Sequence, residues 1–322
     1  MLTKITKFKN QLLDKFHLKE KATEYASHAF AKNTFVNYQS DWRQFCGWCS
    51  SMDIDPLKCD HKTLMAYITT LAEQGSKAST IQRKTSAIAK LSLMAHNKID
   101  LKHPDFIVLW QGIRRKLGIA KKGKEPILVL TLKLILAAIP DNTKGVRDKA
   151  LLAFGWASAM RRSEIVALNW EDLSFVDEGV IVTIRQSKTD KYGEGQKIAI
   201  LYGRNRSTCP VCLLKAWQSI SYTDDKQAVF ASISRAGKNK NIRLSDRDVA
   251  RIIKKYARAI GLEDSVLAGH SLRSGFITTA SKNGVPNHTI MKHSRHKDPK
   301  MIHVYTRDNS LLTDNATSMV GL

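Results

Sequence analysis

Arg161, Glu164, Lys188, His270, Arg273, His296 and Tyr305 are polar residues set where simple packing has no use for them. Arg161 directly follows an apolar stretch, residues 150–160, and Glu164 comes three residues later. His270 and Arg273 make an H-x-x-R pair, neighbours on one helical face. His296 and Tyr305 lie nine residues apart on either side of Asp298 and Pro299, an N-cap and first-turn pair. Lys188 falls in the polar stretch 186–196 between two β-branched runs. Taken singly, each has an ordinary reading: a surface cation, a half-buried ring, a solvated loop lysine. Taken together, two guanidiniums and two imidazoles can surround one phosphodiester and stabilise charge spreading over its non-bridging oxygens. A tyrosine phenol is a competent nucleophile once a neighbour takes its proton. A lysine on a hairpin tip can protonate a departing sugar oxygen. No carboxylate cluster accompanies the set, so the chemistry as written calls for no metal and no cofactor. If Tyr305 is not the nucleophile, Tyr256 and Tyr192 are next in line.

Two other readings compete. Cys209 and Cys212 have C-x-x-C spacing, and His293 and His296 have H-x-x-H spacing, as in a zinc-containing DNA-binding regulator. A structural zinc site needs four ligands closed around it. These pairs are far apart in sequence, and ligation would take His296 away from the phosphate, so Cys209 and Cys212 are read as packing at a helix start. Residues 271–293, with Gly284 at a turn, also fit a helix-turn-helix, a reading that leaves Arg161, Lys188 and Tyr305 without a role.

The positioning elements fall into two lobes. The first reads as helical: Phe35, Tyr38, Trp42, Phe45 and Cys49 recur at steps of three and four, as do Leu64, Ile68 and Leu71. Ile81, Ile88, Leu91 and Ala95 mark a third helix, expected to begin after Ser79 and Thr80, and Phe106, Leu109, Trp110, Ile113 and Leu117 a fourth. Arg83, Lys84 and Lys90 interleave with the third face and are candidates to lie along a DNA groove. Residues 118–126, with two glycines, a proline and the lysines Lys121 and Lys122, read as a basic linker. The second lobe is mixed. Helices are expected over 132–139, 149–160 and around 164–168, a hairpin over 180–184 and 197–201, and helices over 245–260, 271–283 and 298–307. Ser245 and Asp248 form a capping box, with Gly261 just past that helix's end.

The 322 residues carry 52 Lys+Arg against 29 Asp+Glu, a net charge of +23. The excess is nearly even, +11 over residues 1–125 and +12 over 126–322. Such a charge implies a polyanionic partner, and nucleic acid suits it better than a membrane, since no basic amphipathic anchor is present. No apolar stretch reaches the ~18 residues of a membrane span, and no signal peptide is expected. Five cysteines, an odd number, favour a reducing compartment over a disulfide framework.

The motifs resemble those of the tyrosine site-specific recombinases, the phage integrase family, and within it the Cre-like members. Residues 268–275, Ala-Gly-His-Ser-Leu-Arg-Ser-Gly, look like the family's H-x-L-R box. Residues 294–307 resemble its closing box, with histidine and tyrosine at the expected spacing. Residues 160–165 resemble its first-arginine box, and 187–190 its hairpin-lysine segment. In two places the chain departs: Ala159 and Arg295 stand where the family usually has glycine. The resemblance implies a mostly α fold with a small antiparallel β-sheet, arranged as a two-domain DNA clamp. Its parts would be an N-terminal arm (1–30), a helical core-binding domain (31–117), the linker (118–126), a mixed α+β catalytic domain (127–309) and a C-terminal segment (310–322) donated to a neighbouring protomer. No arm-binding domain is expected before residue 30. It further implies that Tyr305 attacks a scissile phosphate to leave a 3′-phosphotyrosyl link. Arg161 and Arg273 would clamp the phosphate, His296 donate to it, Lys188 protonate the leaving oxygen, His270 take the tyrosine's proton and Glu164 orient the site. The partners implied are double-stranded DNA sites, one dimer per site and a homotetramer on two, exchanging strands through a Holliday junction in the bacterial cytoplasm. A type IB topoisomerase-like enzyme, nicking and resealing as a monomer, uses the same residue types and is the alternative.

Overall fold

Helical periodicity builds the first half of the chain, and a few short strands join the helices of the second. The computed structural model describes residues 20–21, 24–25, 32–119, 123–185, 194–263, 266–299 and 301–302. Lys121, Lys122, Lys188, Tyr192 and Tyr305 lie outside these, as do the N-terminal arm's first residues and the segment 310–322. The chain divides into two units, Met1–Lys122 and Gly123–Leu322.

In the first unit the described helices are α1 (Lys32–Ser51), α2 (His61–Glu73), α3 (Ala78–Met94) and α4 (Pro104–Leu117). Phe45, Leu64, Ile68, Ile81, Ile88 and Leu91, the residues recurring at steps of three and four, are fully buried. Phe45 meets Tyr67 edge-on at 5.1 Å, so the aromatics here are core. Asp60 caps α2 by accepting the Thr63 N–H at 2.8 Å. Helix α3 begins at Ala78, ahead of Ser79 and Thr80, with no side-chain cap.

Two of the expected groove cations are bound inside this unit. Lys84 is 9 % exposed, and its Nζ donates to Gln44 Oε1 at 2.6 Å. It sits three residues after Ile81 and four before Ile88, on the apolar face itself, so its reading as a groove residue is corrected. Arg83 forms an ion pair with the buried Asp41. Burial raises the Asp41 carboxyl, against the pull of Arg83 and Lys84. Lys90 is exposed.

The second unit contains α5 (Val129–Ala137), α6 (Thr143–Ala157), α7 (Arg162–Ala167), β1 (Leu173–Val176), β2 (Gly179–Ile184), β3 (Gln196–Leu201), α8 (Pro210–Ser221), β4 (Ala231–Ile233), β5 (Asn239–Arg243), α9 (Asp246–Ala259), α10 (Ser271–Lys282) and α11 (Asn287–Ser294). Strands β1, β2 and β3 form an antiparallel sheet with Val182 opposite Leu173 on one side and Ile198 on the other. Alternation puts Val180, Val182, Ile184, Ile198 and Ile200 into the core. β4 and β5 make a separate antiparallel pair. The Ser245–Asp248 capping box is present.

The chain enters this unit along α10: Ile127 N–H bonds to Ser271 O, and Trp156 Nε1–H donates to Ile127 O at 2.8 Å. Glycine is required at 275, because a Cβ there would stand 1.9 Å from Ile127 O. Tyr256, the fallback nucleophile, is 2 % exposed and donates to Asp148 Oδ2 at 2.9 Å. Burial, then the Asp148 charge, pushes its phenol far up, so it is a core residue. Among the described residues, no helix is long and apolar enough to cross a membrane.

Candidate active site

The site begins where α6 stops. Ser158 ends the helix, and Ala159 takes a left-handed conformation at φ +48°. That turn exposes the Ala159 carbonyl inward, where Arg273 Nη1 donates to it at 2.8 Å. Arg273, on the first turn of α10, is 1 % exposed. A carbonyl acceptor fixes the guanidinium without cancelling its charge.

Two residues past Ala159, Arg161 enters α7. Its Nη1 donates to Glu164 Oε1 at 2.7 Å, and its backbone N–H donates to Glu164 Oε2 at 2.9 Å. The carboxylate therefore grips Arg161 at both ends, leaving the side chain about one-fifth exposed. The far end of α7 is held by Arg243 of β5, whose Nη1 donates to Val166 O and Leu168 O.

His296 follows α11 and meets Arg273: the Arg273 Nη2 lies 3.1 Å from its Nε2. Ser294 Oγ–H donates to Ile290 O at 2.6 Å, and the same oxygen lies 2.8 Å from His296 Nδ1. Arg273 Nη2 is also 3.3 Å from Nδ1, so the ring is held between the serine hydroxyl and the guanidinium. Burial, then Arg273, Arg161, His270 and Arg295, pushes the imidazole down to about 4. His270, immediately before α10, faces solvent at one edge, and desolvation followed by Arg273, Arg161 and Arg162 holds it below its usual value.

The structure thus gathers Arg161, Glu164, His270, Arg273 and His296; Lys188 and Tyr305 lie outside the described residues. Sequence reading missed three participants. His293 donates its Nε2–H to Ala157 O at 2.8 Å and stacks on Phe276. Ser294 Oγ contacts His296 Nδ1 at 2.8 Å. Arg295, also left-handed at φ +59°, donates Nη2 to Glu164 Oε2 at 2.7 Å. The signal for Arg295 was its position: both places where the resemblance expects glycine keep a left-handed backbone here while carrying side chains.

The cysteine pair stands at a helix start, as its sequence suggested. Cys209 is the N-cap of α8, its sulfur accepting N–H groups of Gly203 and Cys212, while His293 and His296 are engaged as above. The helix-turn-helix pair exists as α10 and α11, yet Arg273 points into the buried site. Among the described residues one group has metal-like spacing, His61, His103 and Asp105 of the first unit. Its imidazoles stack face to face at 3.9 Å and 16°, so their lone pairs run in parallel planes and do not converge on one ion.

Two guanidiniums, Arg161 and Arg273, gathered with the imidazoles of His270 and His296, have the chemistry to surround a phosphate ester undergoing transfer. Comparison with known proteins agrees. Residues 130–311 match the phage integrase family and residues 25–96 its N-terminal SAM-like domain. The integrase/recombinase xerD homolog of Selenomonas ruminantium is 38 % identical over 303 residues, covering 92 % of this chain and 87 % of that protein. Tyrosine recombinase XerC of Thermodesulfovibrio yellowstonii is 25 % identical, covering 86 % of each. In fold, the chain is similar to a lambda integrase (75–356) dimer bound to a COC′ core site, with TM-score 0.61 and 18 % identity over 91 % of this chain and 93 % of that one. It is also similar to the XerH site-specific recombinase in a post-cleavage complex, with TM-score 0.61 and 16 % identity over 81 % and 72 %. The chain belongs to the phage integrase family. It is a tyrosine recombinase, an enzyme of DNA cleavage and strand transfer in site-specific recombination.

Proposed function

We propose that Tyr305 is the nucleophile of this chain and that Arg161 and Arg273 hold the scissile phosphate. The phenol oxygen attacks phosphorus, the bond to the 5′ oxygen breaks, and a 3′-phosphotyrosyl link forms. His270 takes the phenol proton; Lys188 gives one to the departing 5′ oxygen. A 5′-hydroxyl from a partner strand reverses the step, so the ester bond energy is kept and religation needs neither ATP nor metal. Glu164 orients Arg161.

His296 has a conditional part. Its neutral ring accepts from Arg273, so donation to the phosphate follows arrival of the anion, whose charge favours the imidazolium. The observation that carries the reading is the convergence of Arg161, His270, Arg273 and His296, contributed by three separate stretches of chain and close enough for the other three to depress His296.

Both units are strongly basic, which supports double-stranded DNA as partner and suits Lys90, Lys121 and Lys122 as phosphate contacts. The solved relatives include a lambda integrase tetramer bound to a Holliday junction. By analogy this chain works as a dimer on each site and a tetramer on two, exchanging strands through such a junction, with residues 310–322 linking neighbours. The bacterial relatives favour the cytoplasm, on nucleoid DNA. The domain limits proposed are 31–117 and 127–309.

The test is Tyr305→Phe on a nicked suicide substrate that traps the covalent product. Adducts resistant to denaturant disappear while site binding stays within about twofold, since one hydroxyl is lost. Adducts that persist assign the nucleophile elsewhere.

A further inference from the structure

Glycine ends helices such as α11 without strain, because the left-handed position that closes them disfavours a Cβ. In this chain the position belongs to Arg295, and the turn is completed by the next residue, His296, whose backbone N–H bonds to Met291 O at 3.2 Å. The Arg295 side chain turns inward and is 4 % exposed. Two of its donors, Nε and Nη1, are buried with no hydrogen-bond partner among the described residues. Among the described residues, this side chain on a disfavoured backbone is held by its bond from Nη2 to Glu164 Oε2 at 2.7 Å.

That bond changes what Glu164 does to Arg161. Alone, the 3 %-exposed carboxylate would offset the positive charge of Arg161, the charge a phosphate needs. With Arg295 on its other oxygen, the three side chains sum to one positive charge, and Oε1 remains dedicated to Arg161 Nη1. Arg295 also fixes the carboxylate in its plane, since Oε2 receives both Arg295 Nη2 and the Arg161 backbone N–H.

We infer that Arg295 is a positioning residue for the strand-transfer site, acting through Glu164 to orient Arg161 and preserve its charge toward the scissile phosphate. The inference rests on Arg161 contacting that phosphate, as proposed above.

The experiment is single-turnover cleavage of the nicked suicide substrate by full-length protein, with binding to the same DNA measured separately. Arg295→Gly suits the left-handed backbone and keeps the chain folded, which a thermal melt verifies. Cleavage at saturating DNA falls about 10–100-fold, as expected when a reacting group is displaced by a fraction of an ångström, with binding within about twofold. Arg295→Lys, which keeps the charge without the fork, restores part of the rate. In an Arg161→Ala background, Arg295→Gly adds no further loss. Should the glycine variant melt early, Arg295→Gln carries the same comparison.

An unchanged rate in Arg295→Gly, a loss explained by binding, no rescue by lysine, or an equal further loss in the Arg161→Ala background overturns the inference. If Arg161→Ala itself cleaves normally, the phosphate-clamp reading fails first, and the two failures are told apart by that single variant.

Discussion

The two units carry nearly the same positive charge yet hold their inner cations in opposite ways. In the helical unit Arg83 faces the carboxylate of Asp41 and Lys84 faces Gln44, a pairing that stitches α3 to α1. In the catalytic unit Arg273 is held by a carbonyl and a neutral imidazole, and Arg161 shares its carboxylate with Arg295. The first arrangement pairs Arg83 with a carboxylate and buries Lys84 on the packing face; the second gathers Arg161, Arg273 and Arg295 around His296, with the carboxylate of Glu164 shared between the first and last of them. Arg147 shows that the contrast belongs to the site and not to the unit, because Asp148 neutralises it in the core. Counting basic residues therefore says that a polyanion binds, while the partner of each cation says which ones face it.

The strongest way to break this contrast is Arg273→Ala. It removes the guanidinium beside His296 and should slow adduct formation about 10²–10³-fold. A loss below tenfold in a quench assay would mean that Arg273 is one more structural arginine.

Acid sharpens the contrast next. His270, His293 and His296 are held below 6.5, His296 at about 4, mainly by burial and then by neighbouring arginines, in His293 against the upward pull of its hydrogen bond to Ala157 O. In each case the folded chain stays unprotonated where the unfolded chain takes up a proton. Stability is complete above pH 6.5 and is lost as pH falls from there toward 4. The urea midpoint should drop across that window, and less steeply in His296→Asn; equal slopes would remove His296 from the set.

Arg83→Met should lower stability by about 1–2 kcal/mol, because Asp41 is left buried while Arg83 itself was partly solvated. Denaturant titration reads this directly. Smaller still is the DNA response. Lys90→Met should reduce the slope of log affinity against log salt by about one, and Lys84→Met should leave it unchanged. The smallest effect is Ala159→Gly, which relieves a left-handed alanine and should raise stability by up to about 1 kcal/mol in thermal melts.

Much of this was legible in the chain because helices announce themselves by period. The faces through Phe45, Ile68 and Ile88 and the Ser245–Asp248 cap all follow from spacing. Strands β1, β4 and β5 did not, since three to five residues such as Asn-Lys-Asn-Ile-Arg show no alternation, and their pairing depends on distant partners. Helix α11 was absorbed into the helix-turn-helix reading and not assigned by itself. At the site, residue types and order revealed Arg161, His270, Arg273 and His296. The links between them did not show, because Glu164 and Arg295 meet across 131 residues and nothing local marks the pair. Lys84 failed for a plainer reason: its charge outweighed its position between Ile81 and Ile88.

One joint described above has a mechanical meaning. Directly after the basic linker, the backbone is laced into the second unit at Ile127, which bonds to Ser271 and takes the Trp156 indole, pressed against Gly275 with no atom to spare. Arg273 sits midway between Ser271 and Gly275. The entering chain is thus tied twice, at Glu125, whose N–H bonds to Val266 O, and at Ile127, on the helical turn that carries Arg273, so a shift of this short segment is felt directly at that turn.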